Sequence, residues 1–205
     1  MLMENTWNEP KEIQEIEYSR HLTISRMIDA QKLRKISKIL EVGCHVGFST
    51  YVFVEEGVLR NREYIGIDID EEALVQAEKK KAELGWNNIQ FRKLSLFEIN
   101  RFFYEEFDLV IAEEVLEHMD IHNALKCIWL VLKPCGSLVF SVPYKETREC
   151  SERWCHKICD LNETKIQEIL IKTGFSLERF VIKDIVWPTP EPSEKILFAN
   201  AKKSA

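Results

Sequence analysis

The stretch that decides the fold is Lys38-Ile39-Leu40-Glu41-Val42-Gly43-Cys44-His45-Val46-Gly47-Phe48-Ser49-Thr50. Its apolar beginning predicts a strand that is buried on both faces. Gly43 and Gly47 then allow a tight turn, and the residues from Phe48 to Val54 predict a helix. This order is typical of loops that bind nucleotides, because a ligand can approach the bare backbone and meet the N–H groups at the helix N-terminus. A turn that serves only packing has the same pattern, so the next strand is needed to decide.

That next strand ends in a carboxylate. The run from Tyr64 to Asp68 is apolar up to its last residue, which lies 21 residues after Gly47. An acidic residue about 20 residues beyond such a turn is placed to accept hydrogen bonds from the ribose hydroxyls of an adenine nucleotide. The two stretches together therefore predict a nucleotide-binding cleft.

Strand-like and helix-like segments alternate along the rest of the chain. Amphipathic or capped patterns predict helices at residues 71–84, 121–131 and 163–172. Apolar runs predict strands at residues 88–94, 107–112 and, after a break at Pro134 and Gly136, 137–142. A closing pair of strands is predicted at 175–184 and 195–201, around the proline-rich segment 187–192. We therefore predict an α/β fold, a doubly wound and mostly parallel seven-stranded sheet with a C-terminal antiparallel hairpin.

Length and composition fit one globular domain with a helical segment before it. The chain has 205 residues, of which 45% are hydrophobic and 30% charged, enough for one sizeable core. We expect residues 37–205 to form the domain and residues 1–36 to form a helical lid over the cleft, frayed over 1–10. Tyr18, Arg20 and His21 lie at the centre of this segment. The alternative is that these three side chains form a solvated helix face.

Several classes of protein are disfavoured by the overall composition. No apolar stretch approaches the roughly 18 residues of a membrane span and no secretion signal is evident, so we expect no membrane partner and a cytoplasmic location. The net charge of −6 and the pI of 5.5 argue against a broad nucleic-acid surface. The six cysteines form no Cys-x-x-Cys pair, which disfavours a zinc ribbon. A metal site stays open at one short segment, which contains Cys150, Cys155, His156 and Cys159.

With these landmarks placed, the chain resembles the class I S-adenosylmethionine-dependent methyltransferases over about residues 37–185. Residues 39–47 resemble their Asp/Glu-x-Gly-x-Gly-x-Gly loop, and Asp68 matches their ribose-binding acid. Residues 107–118 are similar to the stretch after strand four of the ubiquinone-type O-methyltransferases, and Leu132-Lys133-Pro134-Cys135-Gly136 resembles their Leu-Lys-Pro-Gly-Gly turn. The resemblance implies S-adenosylmethionine as the cofactor. The residues that it implies for cofactor binding are Glu41, Gly43, His45, Gly47, Asp68, Ile69, Ser95, Leu96 and Glu113.

Two positions depart from the family pattern. His45 replaces the middle glycine of the loop, and Ser95 stands where the family often has an aspartate for the adenine amino group. A side chain at position 45 either tightens the site or requires a shifted turn. The Ser95 hydroxyl or the Leu96 N–H is expected to contact adenine instead.

The segment after the fourth strand carries the candidate catalytic residues. Methyl transfer needs alignment of donor and nucleophile above all, and a base is optional. His118 is a candidate proton acceptor, with Glu114 or Glu117 to orient it. These residues could equally be capping and dipole groups of a helix start. A metal-dependent alternative, which we do not favour, uses Glu114, Glu117 and His118 as ligands together with His122 or His156. This spacing resembles that of the small-RNA 3′-terminal 2′-O-methyltransferases.

Three functions are consistent with the sequence. The first is methyl transfer from S-adenosylmethionine to a small molecule, most simply at oxygen. The second is metal-dependent methylation of the 3′-terminal ribose of an RNA, for which Lys145, Arg148, Arg153 and Lys157 would supply a basic rim. The third is a non-catalytic pseudo-enzyme that binds cofactor or a partner, suggested by His45 and Ser95. The sequence leaves the acceptor and the oligomeric state open.

Overall fold

The structure is a computed structural model that describes residues 6–28, 33–148, 155–187 and 194–204. Strand β1 (Lys38–Val42) lies in the interior of its sheet. Leu40 and Val42 point into one core and Ile39 into the other, because successive side chains of a strand alternate between the faces of a sheet. The apolar run that decides the fold is thus buried on both faces, as the sequence predicts.

Six further strands join β1 in one sheet. They are β2 (Glu63–Asp68), β3 (Ile89–Lys93), β4 (Phe107–Glu113), β5 (Leu132–Pro143), β6 (Phe175–Ile185) and β7 (Glu194–Lys203). The order across the sheet is β3-β2-β1-β4-β5-β7-β6. The first five strands pair in parallel, and β7 pairs antiparallel with both β5 and β6. The predicted sheet, including its C-terminal antiparallel hairpin, is confirmed.

Five α-helices with both ends in the described residues cover the sheet. They are α1 (Lys11–Met27), α2 (Phe48–Glu55), α3 (Glu71–Leu84), α4 (Ile121–Val131) and α5 (Glu163–Lys172). The last three have the bounds that the sequence predicts, because their N-caps Asp70, Asp120 and Asn162 accept hydrogen bonds from backbone N–H groups of the first turn. α1 and α2 pack on one face of the sheet, and α4 and α5 on the other.

The fifth strand begins earlier than predicted. The expected break at Pro134 and Gly136 does not end the pairing, since Leu132 already lies opposite Phe107 on β4. A register shift between Phe107 and Leu109 takes up the irregularity that proline and glycine impose. Residues 132–136 are therefore part of β5 instead of a turn before it.

The beginning of the described chain is packed against the glycine loop. Residues Thr6–Asn8 form a 3-10 turn, and Trp7 Nε1 donates a hydrogen bond of 2.9 Å to the carbonyl of Val46. The Trp7 ring meets the ring of Phe48 edge-on at a centroid distance of 5.0 Å. The expectation of fraying is therefore wrong for residues 6–10.

Some expectations fall on parts of the chain that lie outside the described residues. These are the first five residues, Cys150, Arg153 and most of the proline-rich turn. Within the described segments, no helix combines the length and the apolar character that crossing a bilayer requires.

Candidate active site

The loop between β1 and α2 passes through left-handed backbone three times. The φ angles are 77° at Gly43, 44° at His45 and 76° at Gly47. A Cβ atom at Gly43 would lie 2.4 Å from Cγ2 of Val115, so only glycine fits there. The glycine loop is thus in contact with the segment that follows β4, and the two parts of the site predicted from sequence lie side by side.

Asp68 lies at the C-terminal end of β2 and is held by two backbone bonds. Its Oδ2 accepts from the N–H of His45 at 2.9 Å, and its Oδ1 accepts from the N–H of Asp70, also at 2.9 Å. The carboxylate is only partly buried. Each oxygen keeps a lone pair for a further donor, so the group is fixed in place and still able to bind a ligand.

The other predicted cofactor residues at this edge differ in exposure. Ile69 is 72% exposed, whereas Leu96 is buried. The Ser95 hydroxyl oxygen accepts from the N–H of Phe97 at 3.3 Å and so begins the 3-10 turn Leu96–Arg101. The hydroxyl hydrogen of Ser95 is left for another acceptor.

Glu41 lies beneath the glycine loop. Its carboxyl group is 1% exposed and accepts hydrogen bonds from the hydroxyls of Tyr64 and Ser49. Tyr64 in turn shares a hydrogen bond of 2.8 Å with the Thr50 hydroxyl on α2. Burial raises the pKa of Glu41 to about 8. Glu41 therefore supports the loop from below, and a role in direct cofactor contact stays a prediction.

The end of β4 presents two consecutive carboxylates to α1. Successive strand residues ordinarily face opposite sides, but Glu114 adopts φ 51°, which turns its side chain to the side of Glu113. His21 Nδ1 lies 2.8 Å from Glu113 Oε2, and Arg20 Nη2 lies 3.7 Å from Glu114 Oε2. Both side chains also approach Glu17, which lies 2.8 Å from Arg20 and 3.7 Å from His21. Arg20 and His21 are thus largely buried, and a solvated helix face is wrong for them.

Burial and mutual proximity shift the titration of these groups. Burial raises the pKa of Glu114 to about 7, although the charge of Arg20 opposes the shift. Burial and the nearby Glu114 raise the pKa of Glu117 well above its usual value. Burial alone lowers the pKa of His21, but Glu113 and Glu17 outweigh it and raise the pKa. The cluster therefore holds protons at neutral pH that free carboxyl groups release.

Several atoms of this cluster are buried and have no hydrogen-bond partner among the described residues. They are Arg20 Nε, Glu113 Oε1, Glu114 Oε1 and Glu117 Oε2. A buried polar atom without a partner is costly, so such atoms are usually satisfied by water or ligand. One guanidinium donor and three carboxyl oxygens, which accept when ionised and can donate when protonated, indicate a ligand that carries both donors and acceptors.

A second cluster lies next to the first. One ligand atom each from Glu117, His118 and His156 lies within 4.8 Å of the others, and the two imidazole centroids are 4.7 Å apart. His156 Nδ1 is 2.6 Å from Glu146 Oε2. Burial and the nearby His156 lower the pKa of His118. The His118 ring donates a hydrogen bond to the Cys155 carbonyl.

The structure thus brings together three of the four residues that the metal-dependent alternative uses as ligands. Glu114 faces Arg20 instead, and His122 is exposed and outside the group. Cys155 and Cys159 are free thiols and do not join a metal-binding group in the described part of the chain. Glu17 and Glu146 also belong to the site, although the sequence analysis did not single them out. Glu17 had a local signal, because Arg20 and His21 follow three and four residues later on the same helix. Glu146 had none, because its partner His156 lies ten residues further along the chain.

Comparisons with known proteins agree with this geometry. Residues 33–181 match a family model described as a methyltransferase domain. The mitochondrial ubiquinone biosynthesis O-methyltransferases of Bos taurus and Homo sapiens are each 32% identical to the chain over 166 residues, 80% of this chain and 40% of the relative. The chain therefore spans well under half the length of these relatives. A solved methyltransferase of Methanosarcina mazei superposes with a TM-score of 0.69 at 17% identity, covering 89% of this chain and 97% of its own.

The strand order and the glycine loop give the chain the same fold as this S-adenosylmethionine-dependent methyltransferase. The chain belongs to the methyltransferase domain family, since the family model covers most of its length.

Proposed function

We propose that the protein transfers the methyl group of S-adenosylmethionine to an oxygen atom of a small molecule. The observation that carries this proposal is the set of unpaired buried atoms beside the glycine loop, above all Arg20 Nε and Glu113 Oε1. A guanidinium donor next to carboxylate acceptors matches the α-carboxylate and α-ammonium groups of an amino acid. The methionine end of the cofactor carries both groups, so the residues present fit it.

The rest of the cofactor would lie along the C-terminal edge of the sheet. Gly43 and Gly47 leave the backbone open to it, and Asp68 would accept hydrogen bonds from its ribose hydroxyls. Ile69 and Ser95 would contact the adenine, the first through its exposed apolar side chain and the second through its free hydroxyl hydrogen. Leu96 would contribute its backbone N–H.

When bound, the cofactor supplies a methyl group on a positively charged sulfur, which an aligned nucleophile displaces. His118 would take the proton of the attacking hydroxyl. Its lowered pKa keeps the ring neutral at pH 7, and because one ring nitrogen bonds the Cys155 carbonyl, the other is free to accept. Glu114 and Glu117 would orient the acceptor through their unpaired oxygens.

The acceptor class is inferred from relatives and from charge. Two relatives are named as O-methyltransferases of ubiquinone biosynthesis, a small-molecule pathway. The net charge of −6 and the carboxylate-rich cleft disfavour a polyanion such as RNA. A small hydroxylated molecule is therefore the acceptor that we propose.

A second candidate, metal-assisted transfer, is favoured by one observation. Glu117, His118 and His156 offer three ligand atoms within 4.8 Å of one another. Imidazole and carboxylate together suit several divalent ions, which would polarise the attacking oxygen. The same residues serve as base and orienting groups in the metal-free proposal, so the two candidates differ in their response to chelator.

We further propose that residues 1–36 act as a lid over this cleft. Trp7 donates a hydrogen bond to the glycine loop. Arg20 forms an ion pair with Glu114, and His21 contacts Glu113, at the end of β4, so the segment touches both walls of the site. A cytoplasmic location stays a prediction.

The test combines calorimetry with a transfer assay. We expect S-adenosylmethionine to bind, and labelled methyl to pass to members of a pool of phenols and other hydroxylated metabolites but not to a short RNA with a free 3′ end. Arg20→Gln should weaken binding at least tenfold, whereas Arg26→Gln, an exposed change on the same helix, should not. Absence of cofactor binding would refute the proposal. Binding without transfer to any acceptor would support the pseudo-enzyme, and transfer to the RNA would support the second function.

A further inference from the structure

Ser141 is a fully buried serine on β5 to which neither the sequence nor the proposed function assigns a role. It lies opposite Glu113 in the parallel pairing of β4 and β5. The N–H of Glu114 donates to Ser141 Oγ at 3.1 Å and to the Ser141 carbonyl at 3.3 Å. The Ser141 hydroxyl also hydrogen-bonds the Glu114 carboxyl group. One serine therefore binds both the backbone and the side chain of Glu114.

Glu114 needs such support because of its backbone conformation. Its φ of 51° is in the left-handed region, which residues other than glycine occupy at an energetic cost. The contact from Arg20 reaches only the end of the Glu114 side chain, at 3.7 Å. The Glu114 N–H, by contrast, donates to two oxygens of Ser141, and these hydrogen bonds fix the backbone of the turn itself.

The direction of the following residues depends on this turn. Val115 follows at once and packs against Gly43 of the cofactor loop. The 3-10 turn Leu116–His118 comes next and carries Glu117 and His118. If Glu114 relaxed to a right-handed or extended conformation, the chain direction would change before these residues are reached.

We propose that Ser141 is a positioning residue that holds Glu114 in its left-handed conformation and so aims Glu114, Glu117 and His118 at the methyl acceptor. The catalytic consequence rests on the proposed function, whereas the structural part does not. Ser141 itself acts through Glu114 and is not expected to touch cofactor or acceptor.

The test replaces Ser141 by alanine and uses Ser137→Ala as a matched control. Ser137 lies four residues earlier on the same strand, on the same face, and is also buried. We expect Ser141→Ala to lower kcat about tenfold, which is the order of one lost hydrogen bond to a charged group, with KM and cofactor affinity within about twofold of the parent protein. We expect Ser137→Ala to leave kcat, KM and affinity unchanged. Circular dichroism should show both variants folded.

Amide hydrogen exchange gives a readout that does not depend on turnover. Peptides that cover residues 113–118 should exchange at least several-fold faster in Ser141→Ala than in Ser137→Ala, because the Glu114 N–H loses the nearer of its two acceptors and keeps only the Ser141 carbonyl. Unchanged exchange there would overturn the proposal. Faster exchange with an unchanged kcat would overturn its catalytic part. If the parent protein has no methyltransferase activity, the proposed function fails, and the exchange experiment still decides whether Ser141 holds the turn.

Discussion

Glu41 provides a direct measure of the electrostatic cost of this site. Its carboxyl is buried beneath the glycine loop, and burial raises its pKa from 4.5 to about 8. A group whose pKa is higher in the folded state binds more protons there, so its contribution to stability is fully present below pH 4.5 and is lost as pH rises through 8. The wild-type protein should therefore become less stable between about pH 5 and pH 8.5.

Glu41→Gln removes this titration while it keeps the shape of the protonated side chain. At 1.36 kcal/mol per pKa unit, the shift gives a loss of about 3 kcal/mol for wild type between pH 5.5 and pH 8.5 that the variant does not suffer. Glu114 and Glu117 titrate in both proteins, so their contributions largely cancel in the comparison. For a chain of this size, 3 kcal/mol corresponds to about 6–12 °C in Tm.

The assay is thermal unfolding of both proteins without cofactor at pH 5.5, 7.0 and 8.5. We expect the Tm of Glu41→Gln minus that of wild type to rise by several degrees across this range. Glu15→Gln, an exposed change on α1, is the matched control and should show no such trend. A difference in Tm that stays constant within about 2 °C from pH 5.5 to 8.5 would refute the assignment of Glu41 as a buried, proton-holding group.

Three further predictions concern binding and turnover. Asp68→Ala should weaken S-adenosylmethionine at least tenfold in calorimetry with the fold intact, because its carboxylate offers charged hydrogen bonds, and unchanged affinity would remove the ribose assignment. His45→Gly should preserve or improve that affinity, since glycine adopts the φ of 44° without strain, and a loss above tenfold would show that the imidazole is a needed contact. If His118 is the base, His118→Ala should lower kcat by ~10²–10⁴ with little change in cofactor affinity. If His118 is a metal ligand, chelator should abolish activity, Mn²⁺, Co²⁺ or Mg²⁺ should restore it, and Glu117→Ala should be as damaging as His118→Ala. An enzyme that is insensitive to chelator and keeps a near wild-type kcat after His118→Ala would exclude both the base and the metal-ligand role of His118.

Much of the fold was accessible from sequence because its signals are local. The apolar run of β1, the glycines after it and the caps Asp70, Asp120 and Asn162 act on residues within a few positions of themselves. These signals predict the bounds of α3, α4 and α5 and the alternation of strands and helices along the chain. The sequence predicts a later start for β5 than the structure has, because β5 itself bulges between Leu132 and Ser137 and so accommodates Pro134 within the strand, which a local pattern does not reveal.

Only part of the site could be predicted from the sequence, because only part of it has local signals. Gly43, Asp68 and the acidic segment after β4 follow from strand ends, which meet at one edge of a parallel sheet. The pairing of His21 with Glu113 joins residues 92 apart in the chain, and no spacing rule predicts it. The burial of Arg20 likewise depends on tertiary contacts, among them the one with Glu114, so the pattern of charges on the helix favoured a solvated face.

The arrangement of charges explains why this edge of the sheet is suited to a cofactor with cationic groups. Glu17, Glu41, Glu113 and Glu117 are buried there with Glu114 beside them, against only two basic side chains, Arg20 and His21. An excess of buried carboxyl groups is tolerated only if some of them hold protons or pair with positive charge. The raised pKa values of Glu41, Glu114 and Glu117 indicate that some of them hold protons in the free protein. A ligand with an ammonium and a sulfonium group would supply the positive charge, which favours the ionised carboxylates. The acidic cluster that costs the free protein stability is thus the feature that would bind the cofactor and release protons when it does so.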